Sequence, residues 1–417
     1  MRRTLVAALA ALVLMGMGGS LLFAADKAAS ISVWSWKSGD FWEKVIIPTM
    51  KDKYNISVDN LVIGDYGQYT TKLKVAASAG ELPDVLGLDP PDYLLYMRDY
   101  LAPLDAYYVR DFGSNWKNRY VKSLLDQALL ASNNGEMLAV LMGISEYFPW
   151  YNTKVFKDLG ITQLPRNLND LAAASKKLRA AGYGPLAFGG ADEWQSNDLF
   201  RDIAADFDPK AVENAEKGTM KWTDPVFVNV LKTVKRMVDL GIFQDGVWGD
   251  HMYMTLYDLF NQGKFGMARL GSWHATVTTP DFEAPMGISG FDYNGDGKVA
   301  PSIGSPDVAW TITKDSPNKD AAWKLIRWLG FDGGEWLTTM VGLTSQNKDF
   351  SQSHLPDKMK PYWDLTFKFA QTAVRRNSLY AELSTAQAKA VQGVGTGTMT
   401  PEQAAKQLQS DFDAIPR

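Results

Sequence analysis

Four tryptophans stand among turn-forming and polar residues rather than within apolar repeats: Trp36, Trp194, Trp248 and Trp273. A wide indole face can stack on the apolar face of a ligand while its N–H stays available for a hydrogen bond. The chain has 14 Trp, 17 Tyr and 19 Phe, so each of the four can equally be a core residue. Tryptophans in such positions indicate a site that recognises a ligand with an apolar face.

Sequence patterns of several catalytic sites are absent. The chain contains no HExxH, no GxxxxGK(S/T) and no GxSxG, so the local patterns of zinc proteases, phosphate-binding loops and α/β-hydrolases are missing. The three histidines, His251, His274 and His354, are far apart in the chain. We expect them to be surface or packed residues. A carboxylate pair for glycoside hydrolysis is a spatial feature, so the sequence leaves that chemistry open.

One short segment resembles the start of a calcium-binding loop. Asp292, Asn294 and Asp296 place oxygen side chains at the first, third and fifth positions, and Gly297 follows, as in an EF-hand loop. The twelfth position, which should hold a bidentate Glu, is Ile303. The alternative, which we favour, is a tight Asn-Gly/Asp-Gly turn between two strands. No other cofactor is expected.

Strands that alternate with helices must position these side chains. Residues 31–36 and 56–63 and the segment that begins at Pro83 have strand patterns, and helical patterns separate them; this order predicts an α/β fold with a mixed sheet covered by helices. Capping signals mark three later helices: Asn167 with Gly182, Asp224-Pro225 with Gly241, and Ser316-Pro317 with Gly330 at the end. Gly393–Thr398 does not follow a strand, so it is predicted to be a loop rather than a nucleotide cradle.

Composition excludes several classes of protein. The chain has 417 residues and no Cys, which rules out disulfides, a thiolate nucleophile and a lipid-modified cysteine. The formal net charge of −4 gives no basic face for nucleic acid. A chain of this length exceeds the size at which single cores stop growing, so two domains are expected.

The first 25 residues have the three parts of a secretory signal peptide. Arg2 and Arg3 precede an uncharged apolar run, Thr4–Met17, and small residues at Ala24-Ala25 follow. The run is shorter than the roughly 20 residues that span a bilayer. We therefore expect residues 1–25 to be removed and the mature protein to be periplasmic and not lipid-anchored.

Six segments, taken together, resemble the maltose-type carbohydrate-binding family, the extracellular solute-binding proteins of ABC importers. The segments occur in family order and spacing: Ile31–Trp36, Ala79–Val85, Leu101–Asp105, Tyr151–Gly160, Pro165–Leu171 and Phe260–Trp273. Two departures are visible, because Tyr100 stands where Gly is common and Asn167-Leu168 stands where Thr-Trp is usual.

The resemblance implies the two-lobe periplasmic-binding-protein fold of type II, in which each lobe is a mixed sheet flanked by helices and the ligand lies in the cleft between the lobes. It places residues 26–144 and 287–332 in the first lobe, and residues 145–286 and 333–417 in the second. Hinge closure around a ligand is a known motion of binding proteins.

The resemblance, together with strand ends, also implies the ligand-binding residues. Open α/β sheets bind ligands at the carboxyl ends of their strands, and the segment mapping suggests further positions. The predicted ligand-binding residues are Trp36, Asp65, Tyr66, Asp89, Glu146, Trp194, Trp248, Trp273, Asp307 and Tyr380. Trp273 is the main stacking candidate, and Glu146 is expected to face the cleft.

The implied function is carbohydrate binding in the periplasm and delivery to the transmembrane subunits of an ABC permease, without catalysis and as a monomer. Two alternatives remain open: a secreted glycoside hydrolase or lyase, and a binding protein for a non-sugar solute such as a polyol or an acidic sugar. Arg375 and Arg376 would matter for an acidic ligand, because Arg binds carboxylates bidentately. We favour the simpler prediction that these two arginines are a solvated pair on a helix.

Overall fold

The fold is described from a computed structural model. It covers residues 29–37, 39, 41–64, 66–132, 134–276, 286–288, 291–333, 368, 370 and 373–416. The predicted signal peptide, Asp65 and His354 lie outside the described residues. Within the described part of the chain, no helix is long and apolar enough to cross a membrane.

Among the described residues, nine strands form one mixed sheet. They are β1 (Ala29–Ser35), β2 (Ile56–Val62), β3 (Val85–Leu88), β4 (Ala139–Asn152), β5 (Gly184–Ala187), β6 (Phe265–Gly271), β7 (Met286–Ile288), β8 (Ile303–Ile312) and β9 (Val374–Arg375). Their order is β2-β1-β3-β8-β4-β6-β5, with β7 beside β4 and β9 beside β8. The predicted strands near residues 31–36, 56–63 and 83–86 are confirmed.

Helices cover the sheet. They are α1 (Ile47–Tyr54), α2 (Tyr66–Ala79), α3 (Asp92–Met97), α4 (Asp105–Phe112), α5 (Lys122–Leu129), α6 (Thr153–Asp158), α7 (Leu168–Ala180), α8 (Glu193–Phe207), α9 (Ala211–Glu216), α10 (Pro225–Asp239), α11 (Tyr257–Asn261), α12 (Lys319–Arg327), α13 (Ala381–Gly395) and α14 (Pro401–Asp413). Five-residue π-helical turns precede α1 and α11 and follow α12.

Strand β4 connects two hydrophobic cores. All 14 of its residues are buried, as expected for a strand covered on both faces. Its first part pairs antiparallel with β8, from Ala139 to Glu146, and its second part pairs antiparallel with β6, from Tyr147 to Tyr151. The strand therefore changes its main partner between Glu146 and Tyr147.

Two large clusters of buried side chains flank this point. The first draws its residues from the ranges 31–142 and 308–331, and the second from 151–293 and 383–415. Phe291 and Tyr293 belong to the second cluster, whereas the resemblance assigns residues 287–332 to the first lobe. Ile303 packs with Tyr147 and Ala205, so the chain returns to the first cluster along β8.

Local capping signals correctly place two helices. The Asn167 side chain accepts hydrogen bonds from the backbone N–H groups of Asn169 and Asp170 at the start of α7. Asp224 precedes α10, which has Pro225 as its first residue. Gly241 follows with a φ of +63°, a left-handed conformation that glycine adopts without steric cost.

Three glycines that the sequence places at a helix end or in a loop lie inside helical structure. Helical structure does not end at Gly330, because a π-helical turn continues to Asp332. Gly393 and Gly395 belong to α13, so the predicted Gly393–Thr398 loop is confirmed only for residues 396–398, which form a turn after the helix. A Cβ at Gly330 would lie 2.2 Å from Val140 Cγ1, and one at Gly395 would lie 1.9 Å from the Trp248 ring. Both glycines thus allow a close approach of packed side chains.

We expect Gly330→Ala to destabilise the fold. The added methyl group would overlap Val140 on β4, and overpacking of this kind costs about 1–3 kcal/mol. Urea unfolding followed by tryptophan fluorescence measures the change. Gly249→Ala is the control, since a Cβ there meets nothing within 4 Å; equal stability of the two variants would contradict the packing argument.

Candidate functional site between the two cores

Polar and aromatic side chains meet where the parallel strands of the first core end. Trp36 follows β1, Tyr66 begins α2 after β2, and Asp89 follows β3. The Trp36 and Tyr66 rings pack edge to face with centroids 4.9 Å apart. The Tyr66 hydroxyl oxygen is enclosed and has no hydrogen-bond partner among the described residues. Each of the three thus follows the carboxyl end of a strand, as expected from the sequence, and their binding of a ligand stays a prediction.

A second aromatic group comes from the other core. Trp194, at the start of α8, stacks on Tyr253 with centroids 5.9 Å apart, and Trp273 lies 6.1 Å from Trp194. The Trp273 indole N–H donates to the Tyr253 hydroxyl at 2.5 Å. Tyr253 is 51% exposed. We call Trp194, Tyr253 and Trp273 the aromatic triad.

Glycine explains how Trp273 reaches this position. A Cβ at Gly271, the last residue of β6, would lie 1.9 Å from the Trp273 ring. The indole therefore lies directly on the strand backbone, which only glycine permits at this distance. Trp273, the main stacking candidate, is thus held in a defined orientation while its side chain stays partly exposed.

Arg376 connects the aromatic triad to a buried carboxylate. Its guanidinium lies 5.5 Å from the Trp273 ring centroid. Its Nε and Nη2 donate to the Asp198 carboxylate at 2.8–3.0 Å, and its Nη1 donates to Ser145 Oγ at 3.1 Å. Burial would lower the pKa of Arg376, but the carboxylates of Asp198 and Asp89 outweigh burial and raise it. Arg376 therefore stays charged.

The sequence prediction that Arg375 and Arg376 form a solvated pair on a helix is wrong. Arg375 lies in β9 and Arg376 follows it directly. Arg375 pairs with Glu216, and Arg376 is only 8% exposed and pairs with Asp198. Arg375 is half-buried, and each of the two guanidiniums is paired with a buried carboxylate, which lowers the cost of removing it from water.

Arg201 holds the segment that carries these arginines. This α8 side chain is 2% exposed. Its five N–H groups all have acceptors: Gln387 Oε1, the carbonyl oxygens of Arg375 and Asn377, Glu216 Oε1 and Ser378 Oγ, at 2.8–3.2 Å. These hydrogen bonds link the 375–378 segment to α8 and α13.

The same segment reaches the first core through Asn377. Its side-chain amide donates to Asp89 Oδ1 at 2.7 Å and to the Pro90 carbonyl oxygen at 2.8 Å. Nearby, Lys37 pairs with Asp307 on β8 at 2.6 Å. Burial raises the pKa of Asp89 to about 7, with Arg376 and Lys37 opposing the shift and Asp307 adding to it. These contacts bring residues of both cores into one site.

Three predicted ligand-binding residues contact side chains other than those of the aromatic triad. Trp248 packs against Phe188 and Phe243 in the second core, and Tyr380 precedes α13 and packs near Phe412. Side chains alternate along a strand, so Glu146 points away from the face on which Ser145 binds Arg376. Glu146 is fully buried, burial raises its pKa well above the usual value, and Ser302 donates to it at 3.4 Å.

The structure adds residues that sequence reasoning missed: Lys37, Tyr253 and Asn377. Lys37 directly follows Trp36, and Asn377 directly follows the arginine pair, so adjacency to a candidate was the available signal. Tyr253 carried no signal, because its position depends on stacking against Trp194.

The loop that resembles a calcium site uses its own backbone donors. Asp292 accepts hydrogen bonds from the N–H groups of Gly295 and Gly297, and Asn294 Oδ1 accepts from the N–H of Asp296, at 2.6–3.0 Å. Among the described residues, no group of three or more His, Cys, Asp or Glu side chains could hold a metal ion. Calcium binding stays an untested prediction.

Comparison with known proteins places the chain in a family. The sequence profile described as bacterial extracellular solute-binding protein matches residues 23–336. The chain belongs to this family. This membership and the two-lobe α/β fold of its structural neighbours confirm the predicted resemblance and fold class.

Individual relatives agree with the match over most of the chain. A protein of Brucella abortus (strain 2308), named as a binding protein, is 24% identical over 404 residues, 94% of this chain and 93% of the relative. An uncharacterized ABC transporter extracellular-binding protein of Pyrococcus horikoshii is 23% identical over 208 residues, 47% of this chain and 43% of that protein. A maltose-bound structure from T. maritima has a TM-score of 0.78 and 21% identity, and the match covers 93% of this chain and 99% of that one.

We predict strong coupling between Arg376 and Asp198. Arg376→Met or Asp198→Asn alone should cost about 3–5 kcal/mol, because each leaves a buried group without its partner. The double variant should lose less than the sum of the two, by at least about 1 kcal/mol. Urea unfolding of all four proteins completes the cycle.

An exposed ion pair is the matched control for this cycle. Lys122 and Asp126 lie one turn apart on α5 and pair at 2.5 Å. Lys122→Met with Asp126→Asn should give a coupling of only about 0.3–0.5 kcal/mol. Coupling at Arg376–Asp198 no larger than that would refute the buried-pair argument.

Proposed function

We propose that this protein is the solute-binding component of an ABC transporter, and that it binds a carbohydrate in the periplasm and delivers it to the membrane permease. The observation that carries the proposal is the aromatic triad beside Arg376, in a family of extracellular solute-binding proteins. The first core contributes Trp36, Tyr66, Asp89 and Asp307 to the proposed site.

Carbohydrate suits this combination of side chains. A sugar ring has an apolar face of C–H groups and a rim of hydroxyl groups. Partly exposed indole and phenol rings can cover the face, and charged groups form strong hydrogen bonds with the rim. The maltose in the T. maritima relative supports the same ligand class.

Export and partners follow from the same proposal. The amino-terminal pattern supports secretion, and the absence of Cys supports a protein that is free in the periplasm. The partners are the transmembrane subunits of a permease, as the name of the Pyrococcus horikoshii relative suggests. We propose that the protein acts as a monomer and carries out no catalysis.

A thermal-shift screen of the mature protein against a sugar panel tests the ligand class. A ligand that binds only the folded state raises the melting temperature, and it adds about 2.7 kcal/mol of stability at a concentration 100 times its Kd. Product analysis after prolonged incubation with the same oligosaccharides should find no cleavage. Release of shorter sugars would favour the hydrolase or lyase alternative.

We expect Trp273→Ala to weaken sugar binding by about 10- to 100-fold, because the variant removes the stacking face beside Arg376. Isothermal titration calorimetry with the best sugar from the screen measures the loss. Trp248→Phe is the control, since Trp248 packs within the second core, and its affinity should stay within about threefold. An unchanged affinity of Trp273→Ala would remove Trp273 from the site.

A further inference from the structure

The backbone of Asn377 is anchored to the second core. Arg201 Nη1 donates a hydrogen bond to the Asn377 carbonyl oxygen at 3.0 Å. Arg201 lies in the middle of α8, and its neighbours Leu199, Phe200 and Ile203 on that helix are buried in the second core. Asn377 therefore moves with the second core whenever the two cores change their relative position.

The side chain of Asn377 crosses to the first core. Its amide nitrogen donates to Asp89 Oδ1 at 2.7 Å and to the Pro90 carbonyl oxygen at 2.8 Å. These two acceptors follow β3, whose residue Leu88 is buried in the first core. Asn377 is 7% exposed, and an amide nitrogen carries two N–H groups. Both are used inside the protein, so Asn377 acts on the first core rather than on a ligand.

The residue that Asn377 holds also positions aromatic side chains of the site. The Asp89 carbonyl oxygen accepts a hydrogen bond from the backbone N–H of Tyr93 at 3.2 Å, in the first turn of α3. The Tyr93 ring packs edge to face on Tyr66, with centroids 5.7 Å apart, and Tyr66 packs in the same way on Trp36. A movement of Asp89 away from the second core would therefore shift these rings relative to the aromatic triad.

Two further contacts between the cores are less directional. Ala381, at the start of α13, and Trp273 pack against the first core. Apolar contacts are non-directional, whereas a hydrogen bond weakens steeply when its geometry is lost. When the cores separate, water replaces the partners of Asn377, so the two hydrogen bonds contribute only modestly to the free energy of keeping the cores together. The amide is therefore suited to a contact that forms and breaks repeatedly.

We propose that Asn377 is a positioning residue that clamps the two cores together over a bound sugar, and that breaking its two hydrogen bonds is a step in the release of that sugar. The inference rests on the proposed carbohydrate-binding function. Hinge opening separates the lobes of a binding protein, and here it parts the Asn377 amide from Asp89 and Pro90. Asn377 thus sets how long a sugar stays bound without contacting it.

Binding kinetics of the mature protein test the clamp. The probe is the mono- or oligosaccharide that raises the melting temperature most in the sugar panel, and stopped-flow tryptophan fluorescence gives its association and dissociation rate constants. Asn377→Ala removes both hydrogen bonds, and Asn377→Leu removes them while keeping most of the side-chain volume. Each variant should release the sugar about tenfold faster than the wild-type protein. The association rate constant should stay within about threefold of the wild-type value.

Asn152→Ala is the matched control. Asn152 is 6% exposed, and its side chain accepts a hydrogen bond from the Val155 N–H within the second core, so its loss should lower the melting temperature and leave the dissociation rate unchanged. Melting temperatures show whether each Asn377 variant is folded. Wild-type dissociation rates in the Asn377 variants, or an affinity loss that arises only from slower association, would overturn the clamp while the carbohydrate proposal stands. If the wild-type protein binds no sugar of any class, both are overturned.

Discussion

The shared strand β4 is the constraint on which the rest of the molecule depends. One run of 14 buried residues pairs first with β8 and then with β6, so each hydrophobic core includes part of the same strand. Side chains of successive residues in a strand point to opposite faces. A shift of one residue in β4 would therefore turn Ser145 away from Arg376 and would misplace residues in both cores at once.

The buried charges form a second level of organisation that depends on this frame. Removing a charged group from water is expensive unless it is paired and hydrogen-bonded. Arg201, Arg375 and Arg376 meet this requirement through Glu216, Asp198 and backbone carbonyl groups. Because these hydrogen bonds fix the backbone of residues 375–378, Arg376 can lie against Trp273 while Asn377 reaches Asp89.

Sequence reasoning succeeded where the signal is local. The Asn167 cap and the Asp224-Pro225 start act within one helical turn, so the sequence contains everything that determines them. The positions of Trp36, Tyr66 and Asp89 could be predicted for a similar reason, because parallel strands end at a common edge. The six family segments added the two-lobe fold and made Trp273 the main stacking candidate, which local patterns alone do not determine.

Sequence reasoning failed where a distant partner decides the outcome. Gly330 resembles a helix stop and Gly395 resembles part of a loop, but Val140 and Trp248 need the space that these glycines leave. Arg376 resembles a solvated residue until Asp198, far away in the chain, is known to face it. Glu146 lies next to the predicted lobe boundary at residue 144, yet the alternation of side chains along β4 directs it to the face opposite Ser145.

The continuity of β4 also limits how this molecule could be divided or rearranged. A cut anywhere within residues 139–152 would expose the apolar edge of a strand on both fragments, and each fragment would lack part of its own core. Exposed strand edges of this kind promote aggregation. Neither half is therefore expected to be an independent building block for gene fusion or recombination, and permuted versions of the chain should open it at surface turns instead.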